Sequence, residues 1–170
     1  KVFIDKSLDY ICRNFPELKI TLEHITTEEA TKYVLAGNEN LAATVTPHHL
    51  ALNRNSIFLG GIRPHHYCLP ILKREKHRKA LLEVVTSKNN KKFFLGTDTA
   101  PHLSTDKENS CWCAGIFNAP YCLPTITQIF DTANALSNLE KFVSLNGASH
   151  YKIDYNKSKI KLKKNSIPLS

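Results

Sequence analysis

The chain has 170 residues, a formal net charge of +8 and a hydrophobic fraction of 42%. This length suits one domain with its own core, and this composition argues against disorder of the whole chain. No apolar run approaches the ~20 residues of a membrane-spanning helix, and residues 1–20 do not resemble a secretory signal. Methionine is absent, even at position 1, so we expect Lys1 to lie inside a longer protein.

The cysteines are odd in number and lack the regular spacing of a disulfide framework: Cys12, Cys68, Cys111, Cys113 and Cys122. Without a secretory segment, reduced thiols in a cytoplasmic protein are the better interpretation. Cys111 and Cys113 resemble half of a zinc-binding knuckle, but no second pair at such a spacing completes a four-cysteine site.

The excess positive charge is concentrated in residues 73–92 and 152–164. The first segment is predicted to be the solvated face of a helix, and the second an extended surface segment. Neither interleaves aromatic and basic residues as a surface for stacking nucleic-acid bases does. Because a basic balance alone affects mainly solubility and steering, we expect neither a nucleic-acid nor a membrane partner.

The beginning of the chain predicts a helix, a strand and a second helix. Residues 2–15 place apolar side chains at helical spacing, and residues 19–23 (KITLE) alternate as a strand does. Thr26 and Glu29 have the spacing of a capping box, so Thr26 or its neighbour is expected to cap the next helix. Gly37 is expected to end that helix in a left-handed conformation.

The middle of the chain continues the alternation. Residues 41–46 (LAATVT) predict a strand, and residues 48–64 are irregular. Residues 67–72 are an apolar run that suits either a weaker strand or a loop at a strand end. Residues 76–87 have a helical apolar stripe, and residues 93–97 (FFLGT) are the clearest buried strand.

The remainder predicts a long loop at residues 98–120, helices at residues 124–136 and 139–145, and a basic tail. Strands separated by helices of this length imply βα units and a parallel sheet of three or four strands. Such a sheet fits a small open α/β domain or part of an eight-stranded barrel. The periodicity alone does not choose between them.

Candidate functional residues follow the predicted strands, where parallel α/β folds gather their active sites. His24 directly follows the first strand, and His48 and His49 follow the second. Asp98 follows residues 93–97 of the last strand, with His102 four residues further on. Imidazole and carboxylate groups that converge from neighbouring strand ends suit a zinc site.

Each of these residues also has a simpler interpretation. A lone histidine at a strand end, such as His24, is more often a hydrogen-bonded structural residue. Asp98 precedes small residues and is suited to capping a turn. The pairs at positions 48–49 and 65–66 are interpreted as surface histidines or as residues that support a site from behind.

Six motifs are considered together: EHITT (23–27), NLAATVTP (40–47), RPHHYCLPILK (63–73), FLGTDTAPH (94–102), CAGIFNAP (113–120) and SLNG (144–147). In this order and spacing they resemble the type II dihydroorotases, metal-dependent (β/α)8 barrels of the amidohydrolase superfamily. The resemblance runs from residue 2 to about residue 151. It implies that residues 1–151 are the C-terminal half of a TIM-type barrel, with strands about five to eight, and that residues 152–170 are a basic tail.

The resemblance also implies an activity, the zinc-dependent reversible cyclisation of N-carbamoyl-L-aspartate to L-dihydroorotate in de novo pyrimidine (UMP) biosynthesis. Two zinc ions are expected in the complete enzyme. By this resemblance His24 ligates one zinc ion, while Asp98 ligates the other and transfers the proton. His102 helps to bind the substrate carboxylate, and Leu69 and Ala114 contact the substrate ring, largely through backbone groups.

The chain also departs from the family. The His-x-His pair, a nearby arginine, the carbamylated lysine and another zinc histidine precede the matched region and cannot be placed here. Ile116 stands where relatives can carry a cysteine. With two protein ligands, this segment alone is expected to be inactive.

The half-barrel interpretation predicts partners. Half of a barrel exposes two sheet edges, which act as templates for aggregation. We therefore expect the missing N-terminal half, in the same polypeptide or in a separate chain, and a homodimer as in the family. The alternatives are another cyclic-amide hydrolase of the superfamily and a non-catalytic barrel relative.

Overall fold

The structure, a computed structural model, describes residues 2–165. Within this range three short strands form one parallel sheet in the order given: β1 (Ile20–Leu22), β2 (Leu41–Val45) and β3 (Phe93–Leu95). β2 pairs with both neighbours, and Val45 stands opposite Leu95. The parallel strands end at one common edge, the C-terminal edge of the sheet. The prediction of a parallel α/β fold is confirmed.

The described residues contain seven α-helices: α1 (Asp9–Asn14), α2 (Glu28–Ala36), α3 (Pro47–Ala51), α4 (Glu75–Thr86), α5 (Ser104–Lys107), α6 (Cys122–Thr132) and α7 (Asn146–Tyr151). Shorter π- or 3-10-helical turns are Ile4–Leu8, Arg54–Ile57, Pro64–His66, Ala119–Tyr121, Leu136–Asn138 and Lys141–Leu145. The five predicted helices are present, the last of them (residues 139–145) as the π-helical turn Lys141–Leu145. α3 and α5 arise within segments predicted to be irregular, and α7 lies beyond the last predicted helix. Within residues 2–165, no helix is long and apolar enough to cross a membrane.

The ends of α2 show how local sequence determines a helix. The Thr27 side chain accepts a hydrogen bond from the Ala30 N–H, so the cap is Thr27. Gly37 follows the last turn with φ −70°, and the prediction of a left-handed stop is wrong. Glycine avoids a close contact there, because a Cβ atom would lie 2.6 Å from Leu41 Cδ2 and the buried Leu41 side chain would have to shift.

Residues 67–72 are a loop and not a strand. Pro70 has no N–H with which to join a ladder. Cys68 and Leu72 are instead buried with Ile57 in a small apolar cluster. β2 pairs directly with β3, and the described residues contain three strands, within the predicted count of three or four.

The main core lies between the sheet and its helices. β2 is buried along its whole length, as expected for the central strand of a covered parallel sheet. Phe130 of α6 and Phe142 of the following π-helical turn are fully buried, with ring centroids 5.5 Å apart. Val34 of α2 and Val85 of α4 complete the contacts that hold these helices on the sheet.

The basic tail is an extended surface segment as far as it is described, over residues 152–165. Lys159 pairs with Glu140, and Lys164 Nζ lies 2.7 Å from Asp131 Oδ2. Such exposed pairs contribute little to stability. The part of the tail prediction that concerns residues 166–170 lies outside the described residues.

His48 and His49 are buried, so the surface interpretation of this pair is wrong. His49 Nε2 donates to the Pro70 carbonyl at 2.7 Å, which leaves Nδ1 to accept from the Thr46 hydroxyl at 2.7 Å. Both ring nitrogens of His49 are therefore satisfied in the neutral form. Burial lowers the pKa of His49 to about 4 and that of His48 to about 3.

We expect Phe130→Ala to lower the free energy of unfolding by about 3–5 kcal/mol, because it leaves a cavity beside Phe142. Phe58→Ala is the control, since Phe58 is 63% exposed; its change should stay within about 0.5 kcal/mol. Urea denaturation measures both variants. Equal losses in the two would contradict the core described above.

Acidification should destabilise the fold through His49. Its pKa falls from 6.5 to about 4 on folding, so the stability it contributes is present above pH 6.5 and is lost as pH falls towards 4. The slope is about 1.4 kcal/mol per pH unit. His49→Gln should remove the contribution of His49 to the pH dependence of stability and leave the contribution of His48. His65→Gln is the control and should leave the pH dependence unchanged, because the His65 side chain is 55% exposed. Urea midpoints across this pH range test this, and an unchanged slope in His49→Gln would refute it.

Candidate functional site

Two side chains that the sequence placed at strand ends meet at the C-terminal edge of the sheet. His24 follows β1 and Asp98 follows β3, and His24 Nε2 lies 3.8 Å from Asp98 Oδ1. Their side chains are 24% and 29% exposed. Their backbones have φ of +50° and +44°, which residues other than glycine rarely adopt. Uncommon conformations of this kind cluster at functional sites.

Thr44 of β2 determines which nitrogen of His24 faces Asp98. The Thr44 hydroxyl donates to Glu23 Oε2 at 2.5 Å and accepts from the His24 backbone N–H at 2.7 Å. It also lies 3.2 Å from His24 Nδ1. Because its one hydrogen is directed to Glu23, the hydroxyl accepts from Nδ1–H. In the neutral ring Nε2 then carries no hydrogen and faces Asp98, which is the tautomer that a metal-binding histidine requires.

Gly96 of the loop after β3 allows this arrangement. A Cβ atom at this position would lie 2.6 Å from Thr44 Cβ. Any larger residue would push Thr44 away from its three partners or separate the chain after β3 from β2. Glycine at this position therefore places Asp98 beside the imidazole that Thr44 orients.

The donor set fits zinc. Zinc accepts neutral imidazole nitrogen and carboxylate oxygen at roughly 2.0–2.2 Å. His24 Nε2 and Asp98 Oδ1 are one donor of each kind on the same edge of the sheet, separated by 3.8 Å. Zinc sites use three or four protein ligands, so these two residues can form only part of a complete coordination sphere.

The three residues assigned to substrate binding lie on three loops. His102 and Ala114 are in contact, since His102 Nε2 donates to the Ala114 carbonyl at 3.0 Å. Gly115 has φ +154°, and a Cβ atom there would lie 2.8 Å from His102 Nε2, so glycine permits this approach. Leu69 is 61% exposed on the loop before Pro70.

Asn118 is a residue of this region to which sequence reasoning assigned no role. Its Nδ2 donates to the Thr97 carbonyl at 2.8 Å, and its backbone N–H donates to Thr99 Oγ1 at 3.1 Å. The residues on both sides of Asp98 are thus held by one asparagine. Nδ2 also lies 3.2 Å from His48 Nδ1. The only sequence signal was the position of Asn118 in the CAGIFNAP motif, which does not reveal its partners.

A second group of potential metal ligands consists of His48, His49 and Cys68, whose ligand atoms lie within 4.8 Å of one another. Both nitrogens of His49 are already hydrogen-bonded. Burial raises the pKa of the Cys68 thiol to about 11, and its Sγ donates to the Pro70 carbonyl at 3.4 Å. His49 and Cys68 are therefore hydrogen-bonded parts of the interior, whereas the buried Nε2 of His48 has no hydrogen-bond partner. With two of its three members engaged in this way, the group is a poor candidate for the zinc site.

Cys111 is exposed and Cys113 half-buried. Among residues 2–165, neither belongs to a group of three or more potential metal ligands. Their loop continues directly into Ala114, one of the residues assigned to substrate binding from the sequence.

The chain resembles curated proteins over almost its whole length. It is 55% identical over 166 residues to a dihydroorotase of Azoarcus sp. (strain BH72), covering 98% of this chain and 48% of that protein. It is also 55% identical over 160 residues to a dihydroorotase of Yersinia enterocolitica, covering 94% of this chain and 46% of that protein. The chain thus spans about half the length of the curated relatives it matches. No protein-family model matches it.

Solved structures show the same relationship. Dihydroorotase from Saccharomyces cerevisiae, in complex with 5-fluoroorotic acid, superposes with a TM-score of 0.79 at 36% identity, covering 86% of this chain and 42% of that one. Dihydroorotase from Campylobacter jejuni superposes with a TM-score of 0.80 at 35% identity, covering 89% of this chain and 43% of that one. A D-hydantoinase at 17% identity, with a TM-score of 0.65, shares the fold. The chain is a partial-length member of the dihydroorotase family, in the amidohydrolase superfamily, and its sheet corresponds to part of the family's TIM-type barrel.

Proposed function

We propose that residues 1–151 are the C-terminal half of a zinc-dependent dihydroorotase barrel and that residues 152–170 are an appended basic tail. In the assembled barrel this protein interconverts N-carbamoyl-L-aspartate and L-dihydroorotate in de novo pyrimidine biosynthesis. The observation that carries the proposal is the convergence of His24 Nε2 and Asp98 Oδ1 at the C-terminal edge of the sheet. The family similarity of the whole chain supports it.

His24 and Asp98 are the proposed zinc ligands, one for each of two ions. Bound zinc supplies a polarised substrate carbonyl and a water whose pKa falls from 15.7 to about 7. Asp98 is also the proposed proton carrier. Its carboxylate takes the proton from the attacking water and returns it to the ring nitrogen that departs. In the biosynthetic direction it performs the same transfers in reverse order.

His102, Ala114 and Leu69 are the proposed substrate-binding residues. His102 Nε2 donates to the Ala114 carbonyl, so the other ring nitrogen, Nδ1, is the one proposed to bind the carboxylate of an anionic ring. Ala114 and Leu69 are proposed to contact the ring itself, largely through backbone groups. The yeast relative's ligand, 5-fluoroorotic acid, is a carboxylated ring and supports this class of ligand.

The missing half of the barrel is the proposed partner. The chain spans about half of its relatives, and its three-stranded sheet has an open edge at β1 and another at β3. Further strands along these edges would cover them and bring the zinc ligands that this chain lacks. The assembled enzyme is proposed to be a cytoplasmic homodimer, as the family resemblance implies.

Asp98→Asn in the assembled barrel should lower kcat by about 10²- to 10⁴-fold, because the amide can neither accept the proton nor donate an anionic ligand. The hydrolysis of dihydroorotate measures the loss. Urea denaturation should show an intact fold, since Asp98 is partly exposed at the edge of the sheet. Asp131→Asn is the matched control, because Asp131 lies on α6 and pairs at the surface with Lys164.

Normal turnover in the Asp98→Asn protein would contradict the role given to Asp98. A parallel assay with hydantoin tests the substrate class. An unsubstituted protein that hydrolyses hydantoin and not dihydroorotate would be another cyclic-amide hydrolase of the superfamily. A barrel that binds zinc but hydrolyses neither substrate would support the non-catalytic alternative.

A further inference from the structure

Lys107, the last residue of α5, is buried with 3% of its surface exposed. Lysines are almost never fully buried unless their charge is compensated. Its Nζ donates to three backbone carbonyls: those of Tyr67 at 3.0 Å, Cys113 at 2.6 Å and Gly115 at 2.8 Å. The side chain therefore joins two loops that are far apart in the sequence.

The hydrogen bonds of Lys107 require its charged form. A neutral amine has two N–H donors, whereas an ammonium group has three, and three carbonyls accept here. Burial lowers the pKa of Lys107 and so opposes the charged form that the three carbonyls favour. None of the ion pairs in residues 2–165 includes this lysine. Carbonyl dipoles solvate the ammonium group but do not cancel its unit of positive charge.

This charge lies directly behind the proposed substrate-binding segment. Cys113 and Gly115 direct their carbonyls to Lys107, while the carbonyl of Ala114, between them, accepts from His102. Successive carbonyls of this short segment thus bond to different side chains. The Gly115 N–H also donates to the Tyr67 carbonyl at 3.0 Å, so one carbonyl receives both the glycine and the lysine.

We propose that Lys107 is a positioning residue for an anionic substrate: it holds residues 113–115 against residue 67 and adds positive potential behind the carboxylate-binding side of the segment. The inference rests on the proposed function, whose substrate is an anion. It deepens that function by assigning part of the carboxylate recognition to a buried cation that does not touch the substrate. His24 and Asp98 remain the groups that perform the chemistry.

The inference distinguishes binding from turnover. Loss of the Lys107 charge should weaken the binding of a carboxylate while leaving the proton transfer at Asp98 in place. We therefore expect Lys107→Met to raise KM for dihydroorotate on the order of 10-fold, since charge-assisted contacts and nearby charges contribute at this level in a partly buried site. The value of kcat should stay within about threefold of the unsubstituted protein.

Lys92 provides a matched control. Its Nζ also donates to three backbone carbonyls, those of Val34 at 3.0 Å, Gly37 at 2.5 Å and Asn38 at 2.8 Å. Lys92 immediately precedes β3, at the N-terminal end of the strand, whereas the candidate site lies at the C-terminal ends of the strands. Lys92→Met therefore removes the same kind of interaction, with a comparable loss of stability, where no substrate binds.

The experiment compares the unsubstituted assembled barrel with three variants, Lys107→Met, Lys107→Gln and Lys92→Met. For each protein it measures kcat and KM with dihydroorotate, and Tm by thermal unfolding. Lys107→Gln keeps an N–H donor without the charge. Both Lys107 variants should raise KM, and Lys92→Met should not, although Lys92→Met and Lys107→Met should each lower Tm.

An unchanged KM in Lys107→Met, or an equal rise in Lys92→Met, would overturn the inference. So would a failure of both Lys107 variants to fold while Lys92→Met folds, since Lys107 would then serve folding alone. An unsubstituted barrel that does not hydrolyse dihydroorotate would remove the proposed function itself. If the unsubstituted barrel is active and Lys107→Met has an unchanged KM, only the inference about Lys107 is removed.

Discussion

The candidate site depends on the hydroxyl group of Thr44. This group is 20 residues away from His24 in the sequence, yet its three hydrogen bonds determine the orientation and tautomer of the imidazole. Thr44 can do this because β2 is the central strand and is buried along its whole length, so its side chain has few alternative positions. Metal ligands are commonly oriented by a second layer of hydrogen bonds, and Thr44 and Glu23 are placed to supply such a layer to His24, a proposed ligand.

The loops beyond the sheet are organised by a second set of polar contacts. Asn118 holds the chain on both sides of Asp98, and Lys107 joins the segments that carry Ala114 and Leu69. These contacts satisfy backbone carbonyls that irregular segments would otherwise leave unpaired away from water. They also bring the proposed metal ligands and substrate-binding residues to the same end of the fold. Stability and the geometry of the site are therefore provided by the same side chains.

Much of the fold could be predicted from local patterns. The β-rich runs ending near positions 23, 46 and 97 became the three strands, and the capping signal at residues 26–29 marked the start of α2. Local patterns left residues 67–72 open between a strand and a loop, and they gave the wrong conformation for Gly37. Residues 67–72 were apolar because they bury Cys68 and Leu72 against Ile57, not because they join the sheet. Gly37 avoids a close contact with the Leu41 side chain and does not have a left-handed backbone.

The sequence by itself determined which residues stand at the ends of the strands, and hence that His24 and Asp98 are candidates for a common site. That follows from the two-residue period of strands and the shared direction of parallel βα units. Only the tertiary structure decided the partners of those residues. Thr44, Asn118 and Lys107 act on positions 20, 21 and 40 residues away, respectively. Such pairings depend on strand register and loop path, and the burial that makes them strong exists only after the chain has folded.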